Sequence, residues 1–438
     1  MFTAGKGVRL LAVLAVATTV LAACSNDGDD GGGSAANSGP RELKLWHYEG
    51  PTSAMGVAWA EAIKEFQSSH PNVTVKFEEQ SFEQIQKTAP MVLNSDDAPD
   101  LMEYNKGNAT AGLLSKQGLL TDMTEEVTKR GWDRLLSENL QTTCKYDQRG
   151  IMGGDKWFGV PNYAEYIMVF YNKDMFAQQG LSVPTSFDQL VSAMDKFRQA
   201  GVTPLSVSGS EYAAHQILYQ LALTKADRGW VDRYQRYTGK VDFHDSVWTY
   251  AANTFVEWVQ KGYIDKQSTS ITAEDMGTAF ISGKFPMMIS GSWWFGRLQK
   301  EITGFKWGSF LWPAQMSAAS GGNIWVIPQG SKNKDLAYDF INITMQKQNQ
   351  NLLGNNGGVP VAADPGAVTD AQSKELIENF NTLAGRDGLA FYPDWPAPGY
   401  YDVLVAATQK LINGSASPDQ VLDEIAKPYE ENLANLGG

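Results

Sequence analysis

Between Glu42 and Asn105 the chain keeps switching its hydrophobic period, and that alternation limits the fold more than any other feature. Leu43, Leu45 and His47 alternate with Lys44 and Trp46, the period of a strand with two unlike faces, before Gly50-Pro51 breaks the run. Val57, Ala60, Ile63 and Phe66 then recur at helical spacing. "NVTVKFEEQ", Asn72 to Gln80, alternates again, and "APDLMEYN" supplies a third strand with Pro99 as its start signal. Strands separated by helices pair through crossovers, so this region predicts an α/β layer with parallel strands.

The same grammar returns later. "YIMVFY", Tyr166 to Tyr171, reads as a buried strand, and "SFDQLVSAMDKFRQA" as a helix capped by Ser186 with Gln189 completing a capping box. "TPLSVSG" then reads as another strand. Tyr234 to Trp258 and Asp335 to Leu353 read as mostly helical. At 438 residues the chain exceeds the ordinary size of one domain. Two α/β lobes are expected.

The first residues carry Lys6 and Arg9, and an apolar run from Leu10 stops at Ala23, short of the ~20 residues a bilayer span needs. The run ends "LAAC", which resembles the bacterial lipobox, with Cys24 as the lipidated residue. An ordinary signal peptide cut near Ala23 is the alternative. "SNDGDDGGGSAANSGP", Ser25 to Pro40, contains no large apolar residue and reads as a flexible tether of about 20 Å span. The chain is therefore expected to be exported and held at the outer face of the cell membrane through Cys24. Cys144 then stands alone, so no internal disulfide is expected. Net charge is −13, which argues against nucleic acid and against a basic membrane-surface patch. Two Cys and four His, widely scattered, argue against a soft-metal site.

Catalytic signatures are missing: no phosphate-cradling G-x-x-x-x-G-K-[ST], no dinucleotide fingerprint, no H-E-x-x-H and no G-x-S-x-G elbow occurs. Aromatic residues are abundant instead, with 13 Trp, 17 Tyr and 19 Phe. Several fall just past expected strand ends: Tyr48, Tyr104, Tyr212, and the Trp293-Trp294 doublet in "PMMISGSWWFG". In open α/β sheets the ligand crevice lies outside the carboxyl ends of the strands. A flat ring packs against the C–H face of a pyranose while amides and carboxylates meet its hydroxyls, so aromatics mixed with Glu49, Asn105 and Glu165 point to a cleft for a neutral sugar.

The residues also resemble a known family. "FGVPNYAEYIMVFYNKDMFAQQGLSVPTSFDQL", Phe158 to Leu190, is similar to a segment of bacterial extracellular sugar-binding proteins. "PDLMEYN", "GKFPMMISGSWW" and "GGNIWVIPQGSKNKDLAYDFI" are similar to three further elements of that family. The resemblance runs from about Glu42 to the C terminus and identifies the chain as a solute-binding lipoprotein of a carbohydrate ABC importer, of the maltose-binding-protein-like class.

This resemblance implies a periplasmic-binding-protein-like α/β fold, two lobes joined by crossing segments with a ligand cleft between. The implied organisation is a leader at 1–23, anchor and tether at 24–40, one lobe from 41–163 with 322–361, and the other from 164–321 with 362–438. Glu165 matches a sugar-binding carboxylate and Trp293 the stacking Trp, with Trp294 as structural packing behind it. Gly322 and Asn323 match the second crossing, Tyr212 and Tyr400 further aromatic positions, and Trp395 lies in the Pro/Gly-rich segment beside Tyr400. Tyr48, Glu49, Tyr104 and Asn105 sit on loops facing the same cleft. The loops lack an obvious match to the charged pair of the maltose binder, so the resemblance does not carry maltose specificity with it. The partners implied are a sugar, expected to be an oligosaccharide, the membrane permease of an ABC transporter and the membrane itself, for a monomer that needs neither cofactor nor metal and catalyses nothing. Competing readings are a polyamine held by Glu49, Glu103 and Glu165, a polyol phosphate near Arg297, a peptide, and a surface glycosidase built on Glu103 and Glu165.

Overall fold

The computed structural model describes residues 39–436 apart from residue 365. The expected leader, Cys24 and nearly all of the tether lie outside the described residues. No helix among the described residues is long and apolar enough to cross a membrane.

The first sheet begins as the alternation predicts. Strand β1 (Arg41–His47) leads through helix α1 (Ala54–Ser69) to β2 (Val73–Glu79), and α2 (Phe82–Val92) leads to β3 (Leu101–Tyr104). β1 lies between β2 and β3 and is parallel to both. Both helices start on serine caps: Ser53 Oγ accepts from the Gly56 amide at 2.8 Å, and Ser81 Oγ from the Gln84 amide at 3.1 Å. Two later segments complete this sheet. Ile324–Val326 pairs antiparallel to β3 and to Val160–Pro161, giving the order β2, β1, β3, Ile324–Val326, Val160–Pro161.

One residue after Val160–Pro161, the chain enters the strand Tyr163–Asn172, buried along its whole length, which organises the second sheet. Trp307–Leu311 and Met287–Gly291 flank it, both antiparallel, and Leu205–Ser206 lies parallel beyond Met287–Gly291. Ala319–Gly321 and Val359–Pro360 pair with its first residues. A single extended stretch thus serves both sheets, joined at Asn162, whose side chain is hydrogen-bonded to Thr344.

One local expectation is corrected. Tyr163–Asn172 and Leu205–Ser206 are not a parallel crossover pair, because Met287–Gly291 lies between them and the two run in opposite directions. The stretches 234–258 and 335–353 are mostly helical as expected, each in two pieces. Arg228–Arg236 ends at Tyr237, in the left-handed region at φ 55°, and Ser246–Gln260 restarts on the Asp245 cap. Likewise Lys334–Met345 and Lys347–Asn355 are separated by an extended Gln346. The Ser186 cap is present at 3.2 Å, while the Gln189 side chain accepts from the Thr185 amide at 2.8 Å, one residue before the position a standard box uses. Cys144 is free and buried, and burial pushes its thiol up to about 12.

Candidate binding cleft

A cavity of about 370 Å³ opens where strand ends from both sheets meet. Tyr48 and Glu49 come from the end of β1, Asn105 from the end of β3, Glu165 from the stretch that joins the sheets, Asn323 from the returning segment, and Trp293 and Trp294 from the end of Met287–Gly291. Tyr212 and Trp395 complete the expected set on this cavity.

The doublet forms because Met287–Gly291 runs straight into a single 3₁₀ turn, Ser292–Trp294, and then the helix Phe295–Glu301. Gly291 and Gly277 leave room for the indoles: a Cβ on the first would overlap the Trp293 ring, and one on the second the Trp294 ring. Both indole N–H groups donate to the same oxygen, Tyr212 Oη, at 3.2 Å from Trp293 and 3.1 Å from Trp294. That hydroxyl keeps its own proton free to donate. Trp293 is the more exposed and stands edge-on to Tyr212, with centroids 5.6 Å apart. Trp294 is 6% exposed and carries the Arg297 guanidinium 5.2 Å from its centroid. Both rings line the cavity, Trp294 from a packed position.

The opposite end is ionic. Lys106, 1% exposed, pairs with Glu165 and donates to Asn323 Oδ1 at 3.0 Å. Its ammonium lies 5.5 Å from the Tyr392 ring and 5.3 Å from the Trp395 ring. Burial pushes the Lys106 pKa down, against the pull of Glu165. One side chain therefore ties β3 to the joining stretch, the returning segment and the 392–395 loop.

Glu49 and Asp394 on the wall have no such partner. Glu49 accepts from Ser53 Oγ at 3.0 Å, and burial raises it to about 7, helped by the Glu165 charge. Asp394 is raised by burial to about 6. Arg297, the guanidinium on the wall, is held at 3.0 Å by both Glu301 oxygens and at 2.6 and 2.7 Å by Glu274. The hydroxyls of Tyr48, Tyr392 and Tyr401 and Oε1 of Gln216 are buried without hydrogen-bond partners. Buried polar atoms are normally paired, so a wall with four orphans is built to meet another molecule.

Three expected residues stand elsewhere. Tyr400 is the first residue of the helix Tyr400–Asn413; its ring is buried and its hydroxyl donates to the Ile425 carbonyl at 2.9 Å, an interior anchor. Tyr104 points away from the main cavity and, with Tyr400, lines a neighbouring one. Gly322 makes room for a protein ring: a Cβ there would overlap Tyr163, which itself lines the cleft. Glu103 is also off the wall. It is fully buried and takes the Trp59 indole N–H at 3.2 Å, which removes it from the polyamine and glycosidase readings. Lys106, Gln216, Tyr392 and Asp394 are not among the residues the sequence singles out. For Lys106 and Asp394 a signal existed, since "EYNKGN" and "FYPDWP" place a charge directly beside residues already singled out.

The sequence pattern of the bacterial extracellular solute-binding proteins matches residues 61–381. The chain belongs to that family. Among its relatives, the diacetylchitobiose binding protein DasA of Streptomyces coelicolor is 23% identical over 97% of this chain and 99% of its own length. The multiple sugar-binding protein of Streptococcus mutans is 22% identical over 71% of this chain and 70% of its own. The GacH receptor of Streptomyces glaucescens, solved free and with acarbose, superposes with a TM-score of 0.71 at 21% identity, covering 90% of this chain and 98% of that one. These likenesses establish the fold as two α/β lobes with a ligand cleft between them, joined by crossing segments. As an extracellular solute-binding protein the chain is an exported binding protein.

Proposed function

We propose that this solute-binding protein captures a sugar in the cleft and delivers it to the membrane permease of an ABC importer. The observation that carries the reading is one cavity on which an indole–phenol platform (Trp293, Trp294, Tyr212) faces carboxylates and amides (Glu49, Glu165, Asn105, Asn323). That combination offers a stacking face and hydroxyl partners together. The relatives whose names refer to sugars support the same class. The lobes run 41–163 with 322–361 and 164–321 with 362–438, and a ligand touching both favours the closed arrangement because only that arrangement offers both sets of contacts. The protein acts as a monomer, catalyses nothing, and is anchored through Cys24; Cys24→Ser releases it from membranes, and continued membrane retention of the serine variant would refute the anchor.

A second reading has one observation in its favour. Glu49, partly buried, and Asp394, buried, are carboxylates without an ion-pair partner, a setting that also suits a polyamine. A phosphate ester is disfavoured because the Arg297 guanidinium is already taken by two glutamates. The test is intrinsic tryptophan fluorescence and melting temperature against mono- and oligosaccharides, with spermidine and glycerol phosphate as controls. A saturable response to one sugar class is expected. A response confined to spermidine would replace the sugar by a polyamine.

A further inference from the structure

A second cavity, of about 250 Å³, lies against the first and shares with it Phe82, Asn105, Asp394 and Tyr401. Its remaining walls come from α2, from the turn after β3 and from residues 398–402, so the Trp293 platform and Glu49 do not reach it. Both shared rings are held from behind by edge-on partners. Phe82 packs against Tyr48 with centroids 5.3 Å apart at 83°, and Tyr401 against His215 at 5.3 Å and 83°. They form a fixed aromatic divider between two compartments.

The polar chemistry of this compartment is specific. On α2, Gln86 has both amide atoms, Nε2 and Oε1, buried with no partner, and the Tyr401 hydroxyl on the divider has none either. Asn162, Gln216, Gln235 and Asn349 leave only their buried amide oxygen without a partner, and Gln350 uses its amide in full, donating to two carbonyls and accepting from two backbone amides; among the described residues Gln86 is the amide with both atoms orphaned. An unpaired donor and acceptor side by side on one amide match two neighbouring hydroxyls of a ring, one accepting and one donating. Three acids, Glu83, Asp394 and Asp402, against one cation, Lys87, on the same walls favour an uncharged or cationic occupant over an anion.

Resting on the sugar reading of the main cleft, we propose that this compartment takes a second sugar ring, so that the ligand is a disaccharide or longer: one ring on the Trp293 platform and the next across the Phe82–Tyr401 divider, its hydroxyl pair on Gln86. Tyr104 and Tyr400, which do not reach the main cavity, then belong to the wall of the second ring site.

Matched pairs test this by calorimetric titration of the full-length protein: glucose with maltose, xylose with xylobiose, and N-acetylglucosamine with diacetylchitobiose. In the class that binds, the disaccharide is expected to bind at least ~10-fold more tightly than its monosaccharide. Gln86→Leu is expected to abolish that advantage while shifting the monosaccharide dissociation constant by less than about twofold. Gln86→Glu, of the same shape but lacking the donor, gives the same selective loss and serves if the leucine variant does not fold. Equal affinity for both lengths, or an equal loss for both on substitution, overturns the second ring site and leaves the sugar reading intact. No response to any sugar overturns the sugar reading and this inference with it.

Discussion

The two ends of the cleft solve opposite problems. At the ionic end, Lys106, Glu165 and Asn323 are bound to one another, and the ammonium is further enclosed by Tyr392 and Trp395. At the aromatic end, Trp293 and Trp294 share Tyr212 as hydrogen-bond acceptor, Trp293 also packs against Tyr392 with centroids 6.2 Å apart, and its ring keeps part of its surface exposed. Charges hold their geometry strongly but at a high desolvation cost; rings offer area with little penalty for being left uncovered. The ionic end therefore sets how the segments that cross between sheets are held, and the aromatic end presents a surface to whatever enters.

Substitution separates the two roles. Glu165→Gln strands a buried ammonium and is expected to destabilise the fold by about 3–5 kcal/mol in urea titration, while Lys106→Met combined with Glu165→Leu recovers most of that loss. A loss below about 1 kcal/mol for Glu165→Gln would mean that the pair organises nothing. Trp294→Ala opens a space above Gly277 and is expected to cost about 3 kcal/mol of stability, read from the same titration.

The acids on the wall give a pH signature. Glu49 is raised by burial from 4.5 to about 7, so between those values the folded chain holds a proton that the unfolded chain has lost. Stability contributed by Glu49 is therefore lost as pH rises through that window, by no more than about 1.4 kcal/mol per pH unit. Asp394, raised from 3.8 to about 6, acts in the same direction. His47, lowered by burial from 6.5 to about 3, acts in the opposite direction below 6.5. The stability of Glu49→Gln relative to the parent isolates the term: it should rise between pH 4.5 and 7, and a flat difference would place Glu49 in water. The smallest effect is the most diagnostic of function. Trp293→Ala is expected to weaken sugar binding by at least about 1 kcal/mol while lowering stability less than Trp294→Ala does, and an unchanged dissociation constant would remove the platform.

The sequence makes plain whatever depends on neighbours in the chain. The β1–α1–β2–α2–β3 run is legible because each element carries its own period and, for the helices, its own serine cap. The doublet is legible as a turn because Gly and Ser precede it. What resists reading is long-range. Nothing around Leu205 announces that Met287–Gly291 will separate it from Tyr163–Asn172. Nothing in Tyr400 distinguishes an interior anchor from a cleft residue until Ile425 is folded against it. Lys106 illustrates both cases: its position after β3 was visible, but its partner Glu165 lies 59 residues away, and burial is what gives the pair its weight.

The first sheet also sets a timetable. Its fourth strand, Ile324–Val326, is inserted between β3 and Val160–Pro161, so β3 keeps an open edge and Val160–Pro161 stays apart from the sheet until a segment from the last third of the chain arrives. Pairings over such distances are slow to form. A nascent chain therefore cannot complete its first sheet until Val326 has been synthesised.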